Sequence, residues 1–408
     1  MKRRAVLAAI GLGGIALATY RFWPDQGLRN PCLGPLPEHL LRHDLVRAVF
    51  DGLNPSHVWD THVHLAGVGD SDAGVWLTPQ MDSVLHPLQF AQKRFYLNAA
   101  CADVRAAVDQ AYLERLIALV EEFPRGVRLM LLAFDHNYDE TGARRDDRSS
   151  FHVPDAYAIA VARRFPERFV AIASVHPYRT DAIEALERAA SAGARAVKWL
   201  PPAMGMDPAS PRCDGFYATL ARLRLPLLTH AGDELAVAGG DTQELGNPLK
   251  LRRALDHGVT VVVAHCASLG SGVDLDQGAN APKKSNFELF TRLMSEPRYH
   301  GRLWGEISAM TQFNRVGPAL DAVLERSDWH ARLLNGSDYP LPGVMPIFSL
   351  QGMVERGYLE PQEAPVLGEI RRYNALLFDF ALKRRLHRNG KRLPASVFET
   401  RRVFEAVA

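Results

Sequence analysis

"VTVVVAH", residues 259–265, is an unbroken apolar run closed by a histidine. Val and Thr fill its first five places, and β-branched residues favour strands. With apolar side chains in consecutive positions, both faces must be buried. That is how a strand inside a parallel sheet reads. The same pattern recurs along the chain, at Val58–His62, Val127–Phe134, Phe169–Val175, Ala194–Trp199, Leu225–His230, Leu303–Ile307 and Arg332–Gly336. Amphipathic helical stretches separate these runs. Clear cases are "DAYAIAVARRFPERF" (155–169), "RTDAIEALERAASAGA" (179–194), with a Thr-Asp cap signal, and "PLKLRRALDHG" (248–258), stopped by Gly258. Strand–helix alternation means βαβ units. Eight strands predict an α/β fold, a (β/α)8 TIM barrel. The rival is an open doubly wound sheet, but no Gly-x-Gly-x-x-Gly turn follows the first strand.

The strand ends carry the ionisable residues. His62 and His64 close the first strand in "VWDTHVHLAG" (58–67), and residues two apart in a strand share a face. Lys198 lies at the end of the fourth strand, His230 ends the fifth, His265 the sixth, and Asp338 follows the eighth. In a barrel, the C-terminal strand ends meet at one mouth, where the chemistry is kept. Imidazoles and a carboxylate converging there suit a zinc-like ion.

Five segments in this order carry a resemblance: "DTHVH" (60–64), "AVKWLPP" (196–202), "LPLLTHAGDE" (225–234), "VVVAHCASLG" (261–270) and "NGSDYP" (335–340). The chain resembles the amidohydrolase superfamily. It looks closest to the amidohydrolase-related (amidohydrolase 2) branch, which also contains metal-dependent decarboxylases. The resemblance implies a divalent metal cofactor, zinc as a rule, in one or two copies. It further implies a metal-bound hydroxide that cleaves an amide, ester or lactone bond, or a non-oxidative decarboxylase on the same site. By resemblance, His62, His64 and Asp338 bind the first metal, and Asp338 also moves the proton. Two arrangements stay open. In one, His230 is the fourth ligand and His265 is a catalytic residue beside a single ion. In the other, His230 and His265 bind a second ion and a carboxylated Lys198 bridges the pair.

Weaker expectations concern neighbours. Asp135, His136, His176 and Glu306 end strands and are positioned to touch substrate; Asp233 and Glu234 can orient a ligand. Cys266 points away from the mouth by alternation. The long insertion after the first strand, with His86 and Cys101, predicts a lid. Arg148, in the charged loop 139–152, can reach an anionic substrate.

Composition bounds the rest. A net charge of +2 excludes a general nucleic-acid binder, leaving a small-molecule substrate as the expected partner, with a homodimer as an open option. Four scattered cysteines, Cys32, Cys101, Cys213 and Cys266, indicate neither a disulfide framework nor a zinc knuckle. "MKRR" followed by an uncharged apolar run, residues 5–20, has the layout of an export signal or membrane anchor. The expected organisation is therefore 1–24 signal or anchor, 25–56 linker and short helix, 57–390 barrel, and 391–408 C-terminal tail. The expected location is the periplasm, or the bacterial inner membrane contacted through the N-terminal segment. The basic run 382–394 predicts a solvated face or one turned to anionic lipid.

Overall fold

Eight parallel strands organise the chain in a computed structural model, which describes residues 24–405 apart from 104–105, 235 and 238–241. The expected export segment, residues 5–20, lies outside the described residues. The first sheet holds β1 (Trp59–His64), β2 (Arg128–Leu132) and β3 (Phe169–Ile172) in that order. The second holds β4 (Val197–Trp199), β5 (Leu227–His230), β6 (Val261–Ala264), β7 (Leu303–Glu306) and β8 (Leu333–Leu334), again in sequence order. All eight expected strands are present, most of them shorter than the apolar runs that announced them.

Backbone hydrogen bonds cross the gaps between the sheets. Ala173 N donates to Ala196 O at 3.0 Å and Lys198 N to Ala173 O at 2.7 Å, beside β3 and β4. At the other gap, Asp338 N donates to His62 O at 2.8 Å and His64 N to Tyr339 O at 2.9 Å. The second pair of bonds sets the segment after β8 in register against the two histidines of β1.

Side-chain alternation sorts the strands into two packed layers. One set, including Met130, Leu132, Val170, Ile172, Leu228, Val262 and Leu334, forms a cluster with Trp59, closed by Phe404 from the C-terminal segment. The alternate set, including Leu129, Leu131, Ala171, Leu227, Val261, Val263 and Leu333, joins the larger cluster beneath the helices.

Helices lie between the strands where the periodicity placed them: Asp155–Arg164, Ala182–Ser191 and Arg252–Asp256. The Thr-Asp signal ahead of the second is not a cap. Asp181 makes no capping hydrogen bond and instead takes Arg179 and Arg188 as ion-pair partners. A charged guanidinium competes better for the carboxylate than a backbone amide does. Among the described residues, no helix is long and apolar enough to cross a membrane.

Two expectations need correction. Cys32 and Cys101 are joined by a disulfide. Connectivity follows from proximity in the fold, which spacing alone does not reveal. The basic run 382–394 divides: Lys391 and Arg392 are exposed, as expected of a solvated face, whereas the first basic residues of the run are engaged with the protein. Lys383 is buried and donates to Gly336 O at 2.5 Å and Asp379 Oδ2 at 2.7 Å. Arg384 donates to Val49 O at 2.8 Å, and Arg385 pairs with Glu363.

Candidate metal centre

The strand-end residues converge on one cavity of about 180 Å³, a volume suited to a small molecule rather than a macromolecule. His62, His64, Lys198, His230, His265 and Asp338 all line it. β1 shows why two histidines at that spacing meet. Val63, between them, is fully buried on the other side, so alternation turns both imidazoles inward, with ring centres 5.2 Å apart.

Asp338 sits at the centre of the group. Its Oδ1 is 3.1 Å from His64 Nε2 and 3.4 Å from His62 Nε2, and its Oδ2 is 3.9 Å from His265 Nε2. His62, His265 and Asp338 present ligand atoms within 4.8 Å of one another, a group able to hold a metal ion. His230 packs against His265 with ring centres 5.2 Å apart. Lys198 Nζ lies 3.2 Å from His62 Nε2. His265 and Asp338 both adopt left-handed backbone conformations, with φ of 54° and 60°. Side chains rarely occupy that region, and strain of this kind collects at functional sites.

Two residues behind the imidazoles fix which nitrogen faces the cavity. Ser308 Oγ donates to Glu306 Oε2 at 2.6 Å, so its oxygen is left as an acceptor. His265 Nδ1 is 2.8 Å from that oxygen and 3.0 Å from Ser308 O, so Nδ1 carries the proton. His62 Nδ1 likewise donates to Glu306 Oε2 at 3.1 Å. In both rings Nε2 is then the unprotonated nitrogen, with Lys198 Nζ 3.2 Å from that of His62 and Asp338 Oδ2 3.9 Å from that of His265. An outer carboxylate that fixes the tautomer in this way is the usual support of a metal-binding histidine.

Electrostatics favour the same state. Burial holds His230 and His265 well below the usual imidazole range, and burial together with Lys198 lowers His62. The rings are therefore neutral, the form that binds metal. Burial pushes the Asp338 carboxyl up, but His62, His265 and His64 beside it pull it well below the usual carboxylate range, because a proton entering the group goes to an imidazole rather than to the carboxylate. Burial brings Lys198 down to about 8.

His230 provides the test of fit. Neither of its ring nitrogens makes a hydrogen bond, although both are buried. Glu234 Oε2 is 3.2 Å from Nε2 but out of line for one. A buried, unpartnered imidazole costs stability unless something absent from the protein chain completes it. A divalent cation fits that description and the donor set around it.

The weaker expectations divide. Glu234 lines the cavity beside His230, and Asp233 instead meets Asn286. Cys266 is buried away from the cavity, against Glu306 O. Part of the insertion lines the cavity, though His86 and Cys101 do not. From α1 (Pro87–Ala99) come Lys93, Tyr96 and Leu97, joined by Val75, Leu77 and Met81. Glu306 does not touch the cavity; it acts through His62 and Ser308. Asp135, His136 and His176 are also outside it. Asp135 is taken by His176 N and Arg179, and His176 Nε2 pairs with Met204 O. These three end strands, but the short pairing of Trp76–Leu77 with Phe151–His152 lies over this end of the fold, and His136 stacks on His152. Arg148 is not among the lining residues. Ser308, Gln312 and Arg315 were missed. "GEIS" (305–308) held a usable signal, two polar residues two apart at a strand end.

Solved structures resemble the chain only distantly. An uncharacterised TIM-barrel protein from Bordetella bronchiseptica is 15% identical, with a TM-score of 0.46, over 79% of this chain and 99% of that one. A probable 2-pyrone-4,6-dicarboxylic acid hydrolase from Acinetobacter baumannii is 17% identical, with a TM-score of 0.40, over 70% and 84%. A 5-carboxyvanillate decarboxylase from Sphingomonas paucimobilis is 14% identical, with a TM-score of 0.39, over 78% and 98%. No curated protein is significantly similar. The family model for amidohydrolases matches residues 59–358, a span that begins at β1 and takes in every residue of the histidine–aspartate group. With that match the chain belongs to the amidohydrolase family.

Proposed function

We propose that the chain is a metal-dependent hydrolase that cleaves an amide, ester or lactone bond in a small molecule. The observation that carries this reading is the convergence of His62, His64, His230, His265, Lys198 and Asp338 on one cavity. The family is metal-dependent, and His62, His265 and Asp338 can hold an ion. We read the eight strands as a closed (β/α)8 barrel, supported by the hydrogen bonds across both gaps between the sheets.

In this reading His62, His64, His230, His265 and Asp338 hold one or two zinc ions. A bound zinc ion polarises a substrate carbonyl and lowers the pKa of water toward neutrality. The chain's own part is to hold and move protons. Asp338 takes the proton of the attacking water and returns it to the leaving group. Glu306 and Ser308 keep His62 and His265 in the tautomer that leaves Nε2 free. Leu65, Leu77, Phe134 and Phe151 give the cavity apolar walls that exclude bulk water.

His265 belongs to the compact three-residue group, which favours a ligand over a free acid. Lys198, lowered to about 8, has a share of free amine at neutral pH, the form that accepts carbon dioxide as a carbamate. The lysine favours two ions, whereas the His62–His265–Asp338 group accommodates one. His265→Ala and Lys198→Ala are each expected to lower the zinc content by about one ion per chain, read by elemental analysis of purified protein. Full metal retention with lost activity would instead leave His265 catalytic beside a single ion. The second reading, a decarboxylase, uses the same residues, and carbon dioxide release from aromatic acids with no ester or lactone hydrolysis would replace the first reading with it.

We further propose that the domain works outside the cytoplasm. The charge-then-apolar layout of residues 1–20 supports this, as does the Cys32–Cys101 disulfide, a bond that persists in oxidising compartments. Protease treatment of spheroplasts is expected to degrade the domain or find it already released. A protected, soluble, cytoplasmic domain with residues 1–20 attached would refute the proposal.

A further inference from the structure

Two donors on the cavity wall lack acceptors within the protein. Gln312 is buried and its Nε2 makes no hydrogen bond; Arg315 Nε is equally buried and unpartnered. Both residues line the cavity. One helical turn joins them: Arg315 N and Val316 N donate to Gln312 O at 2.9 and 3.0 Å. Residues three apart on such a turn send their side chains from the same face. Arg315 Nη1 donates to Ser268 Oγ at 3.1 Å, which anchors one edge of the guanidinium.

The carboxylates whose charge reaches Arg315 most strongly are Glu234 and Asp338, and both are engaged elsewhere. Glu234 Oε1 accepts from Ala236 N and Val237 N, and Asp338 accepts from His64. Among the described residues the guanidinium closes no ion pair. A guanidinium remains charged at neutral pH even when burial pulls its pKa down, as it does here. A half-buried cation whose Nε–H is buried and unused, beside a buried amide with unused N–H bonds, is a poor structural element. It is a good receptor for a planar anion, because a guanidinium fork matches a carboxylate.

We propose that Gln312 and Arg315 bind a carboxylate of the substrate, separate from the bond that is cut. The remainder of the molecule is apolar, since it must lie against walls such as Leu77, Met81, Leu97 and Phe151. The substrate class is therefore a small organic acid with an aliphatic or aromatic body that also carries the hydrolysable bond. This inference deepens the hydrolase reading and rests on it.

The test uses the full chain after dialysis against a chelator, so that a carboxylate has no metal to bind. Calorimetry compares benzoate with benzamide and hexanoate with hexanamide. Each acid is expected to bind about tenfold tighter than its neutral amide or better, the scale of one charge-assisted contact. Arg315→Met is expected to abolish that preference. Arg315→Lys, which keeps the charge but loses the fork, should recover only part of it, and Gln312→Leu should reduce it. Circular dichroism and thermal melts matching the unaltered protein establish that each variant is folded. If Arg315→Met fails that check, Arg315→Lys and Gln312→Leu decide the matter. Equal affinities for acid and amide, or a full preference surviving these substitutions, would overturn the proposal. The hydrolase reading fails separately. A carboxylate preference in protein whose zinc-loaded form hydrolyses no ester or lactone would leave the subsite standing and remove only that reading.

Discussion

Asp338→Ala is expected to lower kcat/KM by about 10³-fold or more and to strip most of the bound metal. General acid–base groups alone contribute roughly 10²- to 10⁴-fold, and this residue is read as a ligand as well. Its carboxylate lies within 3.1 to 3.9 Å of His62, His64 and His265, so its loss removes the anion around which the imidazoles are arranged. Asp338→Asn separates the two roles. It keeps the volume and one acceptor oxygen but takes no proton. Partial metal retention with turnover as low as in the alanine variant is the expected pattern. Elemental analysis and steady-state kinetics on the same preparations check it. If Asp338→Ala kept both its metal and its rate, the proposed centre would be wrong.

Arg371→Met is expected to destabilise the fold by about 3 kcal/mol or more, without touching the cavity. Arg371 is fully buried in the helix Glu363–Tyr373. Its guanidinium donates to Pro342 O at 2.7 Å, Val344 O at 2.7 Å and Met345 O at 3.2 Å, and to Gln26 Oε1 at 2.7 Å. Phe348 and Phe378 flank it, with ring centres 4.7 and 4.9 Å away. Methionine fills much of the space but leaves buried carbonyls without donors, at roughly 1–3 kcal/mol each. Those carbonyls belong to the segment that follows Asp338, so metal affinity should weaken along with stability. Urea unfolding, with zinc content measured in parallel, tests this; an unchanged midpoint would refute it.

The strands were legible because burial on both faces leaves a plain signature, runs such as "VTVVVAH" (259–265), and the core histidines were legible because they stand at the ends of those runs. Runs overstated strand length. Residues such as Val127 and Val259 are buried beyond the paired segment, and apolar character reports burial rather than pairing. The supporting residues were harder to see. Glu306 occupies a strand end, as the ligands do, and only its bond to His62 Nδ1 shows that it faces the back of a ring. Gln312 and Arg315 lie on a single isolated turn, too short for periodicity to place them, and their meaning comes from missing partners, which sequence does not encode. Asp135, His136 and His176 were misplaced for the opposite reason. They satisfy the strand-end rule, and the antiparallel pairing near them depends on long-range contacts between residues 76–77 and 151–152.

The Cys32–Cys101 bond makes one covalent ring of the segment that contains β1 and α1, the two cysteines standing 69 positions apart in sequence. The strand bearing His62 and His64 and the helix lining the cavity thus share a tether that denaturation does not release. Cross-linking a loop of that size restricts the unfolded chain by about 4 kcal/mol in the chain-entropy account. A host that keeps thiols reduced would produce the same sequence without that tether. Two batches of one gene product, made in different cellular compartments, would then differ in heat tolerance and in how long that helix stays seated. Inactivity in the looser batch would reflect how it was made, so the redox history of a sample belongs beside its metal content whenever substrates are screened.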